Sequence, residues 1–122
     1  MRSTRKAKWA ALAAGVLAVP AALVVSTAGP ATANASCGQG AWGTDGTDVR
    51  MTPGVSANMR SGSSTACGVV GWADNQDVLI YYCWTSGQNG TWTYLYNQHD
   101  DRTGWVKDSL LPYNGSNQYC GF

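Results

Sequence analysis

The chain has 122 residues, with eight Lys or Arg, seven Asp, one His and no Glu. Arg2, Arg5, Lys6 and Lys8 sit at the very start, so the rest carries Arg50, Arg60, Arg102 and Lys107 against seven Asp, a net charge of −3. A weakly acidic domain has no phosphate-seeking surface, which excludes nucleic acid as a partner and electrostatic attachment to anionic lipid.

The first element is a targeting segment. A basic start is followed by Trp9 to Val25, rich in Ala, Leu and Val and free of charge, and then by Ala33-Asn34-Ala35. Small residues at alternate positions after a short apolar core are what a signal peptidase reads, so residues 1–35 are expected to be a cleaved secretory signal. A cut after Ala33 is the alternative. A retained membrane helix is disfavoured, because the apolar core is short and Ala-rich and Pro20 and Pro30 interrupt or follow it. Ala35-Ser36-Cys37 resembles the end of a lipoprotein box, but Asn34 stands where that box needs an apolar residue, so no lipid anchor is expected.

Removal of the signal leaves 87 residues. Residues 36–54 form a Gly-rich extension, with Trp42 as its one large anchor and a short strand over Asp48 to Thr52 stopped by the turn signal Pro53-Gly54. Strands are then expected over Val55 to Arg60, Cys67 to Trp72, Val78 to Trp84, Thr91 to Tyr96 and Thr103 to Lys107, separated by polar and Gly-containing turns. Val78 to Trp84 is the strongest of these, being β-branched and aromatic without Gly or Pro. With Cys83 inward, a period of two also puts Leu79 and Tyr81 inward, and sets Val78, Ile80, Tyr82 and Trp84 on the other face. So large an apolar surface needs a cover; the segment around Trp42 is the candidate, and a ligand is the alternative. Asp108 to Leu111 reads as a tight helical turn leading into a last short strand, and residues 112–122 as a tail returning to Cys120. Short strands punctuated by turns predict an all-β barrel or sandwich.

A domain of this size has a marginal core and is commonly stapled. Cys37, Cys67, Cys83 and Cys120 therefore predict two disulfides. Zinc is disfavoured, because there are no close-spaced Cys pairs and His99 is far from any of them in sequence. Three pairings are possible. Cys67–Cys83, across one short loop, and Cys37–Cys120, tying the ends together, are the favoured set, worth roughly 3 and 4 kcal/mol in loop entropy.

Several motifs carry a family resemblance. Asn58-Met59-Arg60-Ser61-Gly62-Ser63-Ser64-Thr65 resembles the opening of a bacterial SH3 domain. Val69-Val70-Gly71, Val78 to Cys83, Trp92 to Leu95, Thr103-Gly104-Trp105-Val106 and Leu110-Leu111 are similar to its later strands, in order across residues 55–111. Ser63 stands where the family commonly has Pro, and Asn75-Gln76-Asp77 where it usually has Gly. The resemblance implies a small SH3-like barrel of five or six strands, of a secreted, disulfide-bearing kind. Relatives often accompany cell-wall hydrolases and bind peptidoglycan or its peptides.

After the signal the chain holds five Trp and six Tyr. Flat aromatic faces suit sugar rings and peptides, and they also fill thin cores. Trp105 and Tyr81 are expected to be structural. Trp84, Trp92, Tyr94 and Tyr96 are the candidates for a binding groove. Arg60 is expected to hold its turn by bonding loop carbonyls, with Asn58 completing it. Catalysis is not expected: no free thiol, no second His and no Glu are at hand for Cys–His, Ser–His or paired-carboxylate chemistry. The expectation is a monomeric, secreted binding module without metal or cofactor and with no membrane segment after signal removal. Its partner is expected to be peptidoglycan, or alternatively a secreted protein that it inhibits or engages.

Overall fold

The computed structural model describes residues 34–122. The predicted signal, apart from Asn34 and Ala35, lies outside the described residues. Six strands follow: β1 (Asp48–Arg50), β2 (Ala57–Arg60), β3 (Val69–Ala73), β4 (Val78–Gly87), β5 (Gly90–Asn97) and β6 (Arg102–Lys107). They form one antiparallel sheet in the order β1-β4-β5-β6-β2-β3. The described residues are all-β, as the turn-punctuated pattern predicts. The sheet is open, with β1 and β3 as its edges.

The other strands lie within two residues of the expected bounds at each end; two larger differences each have a local reason. Thr85 and Ser86 continue β4 by pairing with Trp92 and Thr91, and Gly87 pairs with Gly90. The hairpin loop is thereby only Gln88-Asn89, with Asn89 at φ 60°, a conformation that Asn tolerates better than most residues. After the 3-10 turn Asp108–Leu110, a second one over Pro112–Asn114 replaces the predicted last strand. Pro112 has no N–H to give a ladder, and Tyr113 and Asn114 both have positive φ.

The main core draws on every strand: Val49, Met59, Ala73, Leu79, Tyr81, Leu95 and Val106, closed by Met51 and Leu111. A flat sheet could not bring its edge strands into one cluster, so the sheet is strongly curled. Tyr81 is fully buried and its hydroxyl donates to Pro112 O at 2.7 Å. Burial pushes that hydroxyl's pKa up, with Asp108 and Asp45 adding to the effect.

The second face carries its own cluster. Trp92 and Trp105 pack with Ala35, and Ala41, Tyr94, Cys120 and Phe122 lie around them. Trp105 is fully buried and donates from Nε1 to Gln39 O at 2.6 Å. The predicted cover does not form: Trp42 is 93% exposed, and Val78, Ile80, Tyr82 and Trp84 are each only partly buried. Trp92 and Trp105 are instead packed over by Ala35, by Ala41 and by the tail's Phe122; the Gly-rich surroundings of Trp42 offer its ring nothing to pack against.

A β-bulge in β4 splits the face assignment made from period two. The register is Tyr81↔Leu95, then Cys83↔Tyr94 and Trp84↔Thr93, with one residue gained between Tyr81 and Cys83. Directly paired residues share a face. Leu79 and Tyr81 therefore face the main core, while Cys83, also buried, faces the second cluster. Trp84 crosses to the face of Thr93 and away from Tyr82.

The disulfides are Cys37–Cys67 and Cys83–Cys120, which corrects both predicted bridges. Chain order misled: β3 and β4 follow each other in sequence but stand far apart in the sheet, so the bridge from Cys67 to Cys83 is not a short step between paired strands. The first bridge instead fastens the N-terminal segment to the loop between β2 and β3, and the second fastens the tail to β4. Digestion without reduction, at Arg60 and Arg102 and then at the aromatic residues between Cys67 and Cys83, is expected to release Cys37 joined to Cys67 and Cys83 joined to Cys120. A fragment joining Cys67 to Cys83 would overturn this pairing.

Candidate functional site

The four aromatic residues predicted to line one groove do not come together. Trp92, Tyr94 and Tyr96 alternate along one face of β5, but Trp92 is only 3% exposed and its Nε1 donates to Gln88 O at 2.9 Å. Tyr94 is wedged between Tyr82 and Trp105, with ring centroids at 5.4 and 5.0 Å. Gly40 lets the chain pass over it, since a Cβ there would lie 2.9 Å from the Tyr94 hydroxyl. Tyr96 is half-buried and donates to Asp101 Oδ1 at 2.8 Å, a bond that raises its pKa. Trp84 stands on the opposite face, because of the bulge. Arg60 behaves as expected: Nη1 donates to Thr65 O at 3.2 Å and Cys67 O at 3.0 Å, holding the turn.

Trp84 opens onto a cleft of about 290 Å³, lined by Trp84, Thr91, Asp108, Tyr113, Ser116 and the flanking Asn114 and Asn117. The tail fixes one wall. Trp84 N donates to Gln118 O at 2.7 Å, Cys120 N donates to Trp84 O at 2.9 Å, and the Trp84 ring packs on Tyr119 at 4.9 Å. The Cys83–Cys120 bridge locks this strip next to the indole.

The floor is a connected polar network. Asp108 is buried, and its two carboxylate oxygens accept from Thr91 and Thr93 hydroxyls at 2.6 Å each. Thr93 Oγ1 in turn accepts from Ser116 N at 2.9 Å, and Ser116 Oγ donates to Asp45 Oδ2 at 2.6 Å. Burial raises the Asp108 pKa, against the opposing pull of the two threonine bonds and of Lys107. A Cβ at Gly115 would overlap Asp108 Oδ1 and Thr93 Oγ1, so only glycine lets the loop close over the network.

The rim is set by backbone strain. Tyr113 and Asn114 take φ of 57° and 56°. For a tyrosine this left-handed conformation costs about 1 kcal/mol or more, and such outliers concentrate at functional sites. Its effect here is to hold the Tyr113 ring in solvent, 83% exposed, at the mouth of the cleft. Sequence reading missed Tyr113, Asn114, Asn117 and Tyr119, treating the tail as a return to Cys120. The signal was present as an Asn-Gly turn with an aromatic residue on either side.

His99 is exposed. Its Nδ1 lies 2.9 Å from Asp100 Oδ1 and 3.6 Å from Asp77 Oδ1, and the Asp100 contact, then the two negative charges, raise its pKa. Asn97 organises this corner, donating to Asp77 Oδ2 and accepting from His99 N. No cysteine among the described residues is free, and no described helix is long and apolar enough to cross a membrane. No protein-family model, curated protein or solved structure matches the chain.

Proposed function

We propose that this is an exported, non-catalytic binding module that takes cell-wall peptidoglycan, its glycan or its peptide, in the Trp84 cleft. The observation that carries the reading is the composition of that cleft. Trp84 and Tyr113 offer apolar faces against which a sugar ring or glycine-rich peptide can lie. Asn114 and Asn117, both exposed, offer neutral donors and acceptors at the rim. A neutral polar ligand with flat apolar faces matches such a lining better than an ionic one does. Two disulfides with no free thiol among the described residues are the cysteine usage of oxidising compartments, which agrees with export by the Arg/Lys-led segment. The SH3-like resemblance of residues 55–111 points to the same ligand class.

The test is sedimentation with purified insoluble peptidoglycan. The unaltered protein is expected in the pellet. Trp84→Ala or Tyr113→Ala should weaken binding at least about tenfold, the loss of one anchor contact of roughly 1.4 kcal/mol. Tyr96→Ala and His99→Ala, away from the cleft, should bind as the parent does. Retention of Trp84→Ala in the pellet would sink the cleft, and a parent protein left in the supernatant would sink the ligand.

A protein partner is the second reading, and one observation favours it. Edge strand β3 exposes Val69, Val70 and Trp72 and carries no charged residue. An uncharged, apolar edge is the kind of surface on which another chain adds a strand.

A further inference from the structure

The chain contains two overlapping signal-peptidase boxes, Ala31-Thr32-Ala33 and Ala33-Asn34-Ala35. Both have small residues at the two positions the peptidase reads, so the cut expected after Ala35 has the cut after Ala33 as a close rival. The fold separates them.

Ala35 is fully buried, packed in one cluster with Trp92 and Trp105. Its N–H donates to Ser63 Oγ at 3.0 Å and its carbonyl accepts from Ser63 N at 2.9 Å. Asn34 N donates to Ser86 O at 3.3 Å. The approach is backbone against backbone: a Cβ at Gly62 would lie 2.6 Å from Ala35 O. Two residues on, Cys37 is bonded to Cys67 and fixes the segment in place. A cut after Ala35 would remove this plug, uncovering the two indoles and leaving Ser63 N without its acceptor.

We propose that the processing site is the Ala33–Asn34 bond, and that the mature chain begins at Asn34 with Ala35 as a built-in plug. The step is hydrolysis by a signal peptidase of the export route. Water adds across the amide, the Ala33 carboxylate leaves with the signal, and Asn34 gains a free α-ammonium group. Asn34 is exposed, so that charge stays in water while its N–H donors remain beside Ser86 O. The inference rests on the export reading made above, and the experiment separates the two.

Full-length chain is produced in an exporting bacterial host, and the N-terminus of the secreted product is read by intact mass and end sequencing. The expected start is Asn34. Ala31→Phe puts a bulky aromatic ring into the upstream box and leaves the downstream one untouched, so it is expected to cause loss of the Asn34 product. A secreted product starting at Ser36 from the parent chain, or normal processing of Ala31→Phe, overturns the assigned site while leaving export standing. A chain that stays in the cell and still begins at Met1 overturns export and the processing site together.

Discussion

Trp105→Ala is expected to lower stability by about 3–5 kcal/mol, the usual range for truncating a fully buried tryptophan. The side chain is 0% exposed. Removing it strips the indole packing from Tyr94 and Phe122 and orphans the Gln39 carbonyl. Gln39 belongs to the extension, so the variant should also loosen the segment that covers the second face. A domain of this size has about 5–10 kcal/mol in all, so a large share goes with one residue. The measurement is a urea midpoint with disulfides intact, joined to hydrogen exchange at residues 34–41. A loss below about 1 kcal/mol, typical of a surface change, would show that the second cluster adds little.

Asp108→Ala is expected to cost about 2–3 kcal/mol at acid pH, because the Thr91 and Thr93 hydroxyls lose their acceptors and the network beneath the cleft is opened. The effect depends on pH with a definite sign. Burial raises the folded-state pKa of Asp108 above its ordinary value of 3.8. Within the window between 3.8 and the raised value, the folded state holds a proton that the unfolded state has lost. Stability from this group is therefore fully present below 3.8 and declines as pH rises through the folded value. The loss on Asp108→Ala should accordingly be larger near pH 3 than near pH 7. Asp108→Asn, which cannot titrate, should flatten that part of the stability profile. A loss that grows toward neutral pH would contradict burial as the dominant influence on this carboxyl.

Much of the fold was legible because the local signals agreed with one another. Val78 to Trp84 had no turn-former to break it, Pro53-Gly54 stopped a strand, and Trp105 and Tyr81 are buried as expected. The face assignment failed from the bulge onward, at Cys83 and Trp84, for a reason visible only in three dimensions. Leu79, Tyr81, Cys83 and Thr85 are all buried, so alternation continues unbroken through the bulge. It conceals that the first two meet one cluster and Cys83 the other. Where both faces of a sheet are covered, burial no longer reports which face a residue is on. The disulfides failed for a related reason: the proximity of Cys67 and Cys83 in sequence says nothing about a sheet order in which β3 and β4 are far apart. Of the proposed cleft only Trp84 was anticipated. Tyr113 is placed there by a positive φ, which its residue type argues against.

The pairing has a consequence for how the covalent framework is assembled. The two bridged spans, 37–67 and 83–120, do not overlap. A chain delivered N-terminus first into an oxidising space presents Cys37 and Cys67 before Cys83 follows, so the first ring can close while only one partner is within reach. The second ring then meets the same condition. Sequential, non-nested closure leaves few wrong partners to sort out, and correct oxidation becomes a matter of the order in which cysteines arrive.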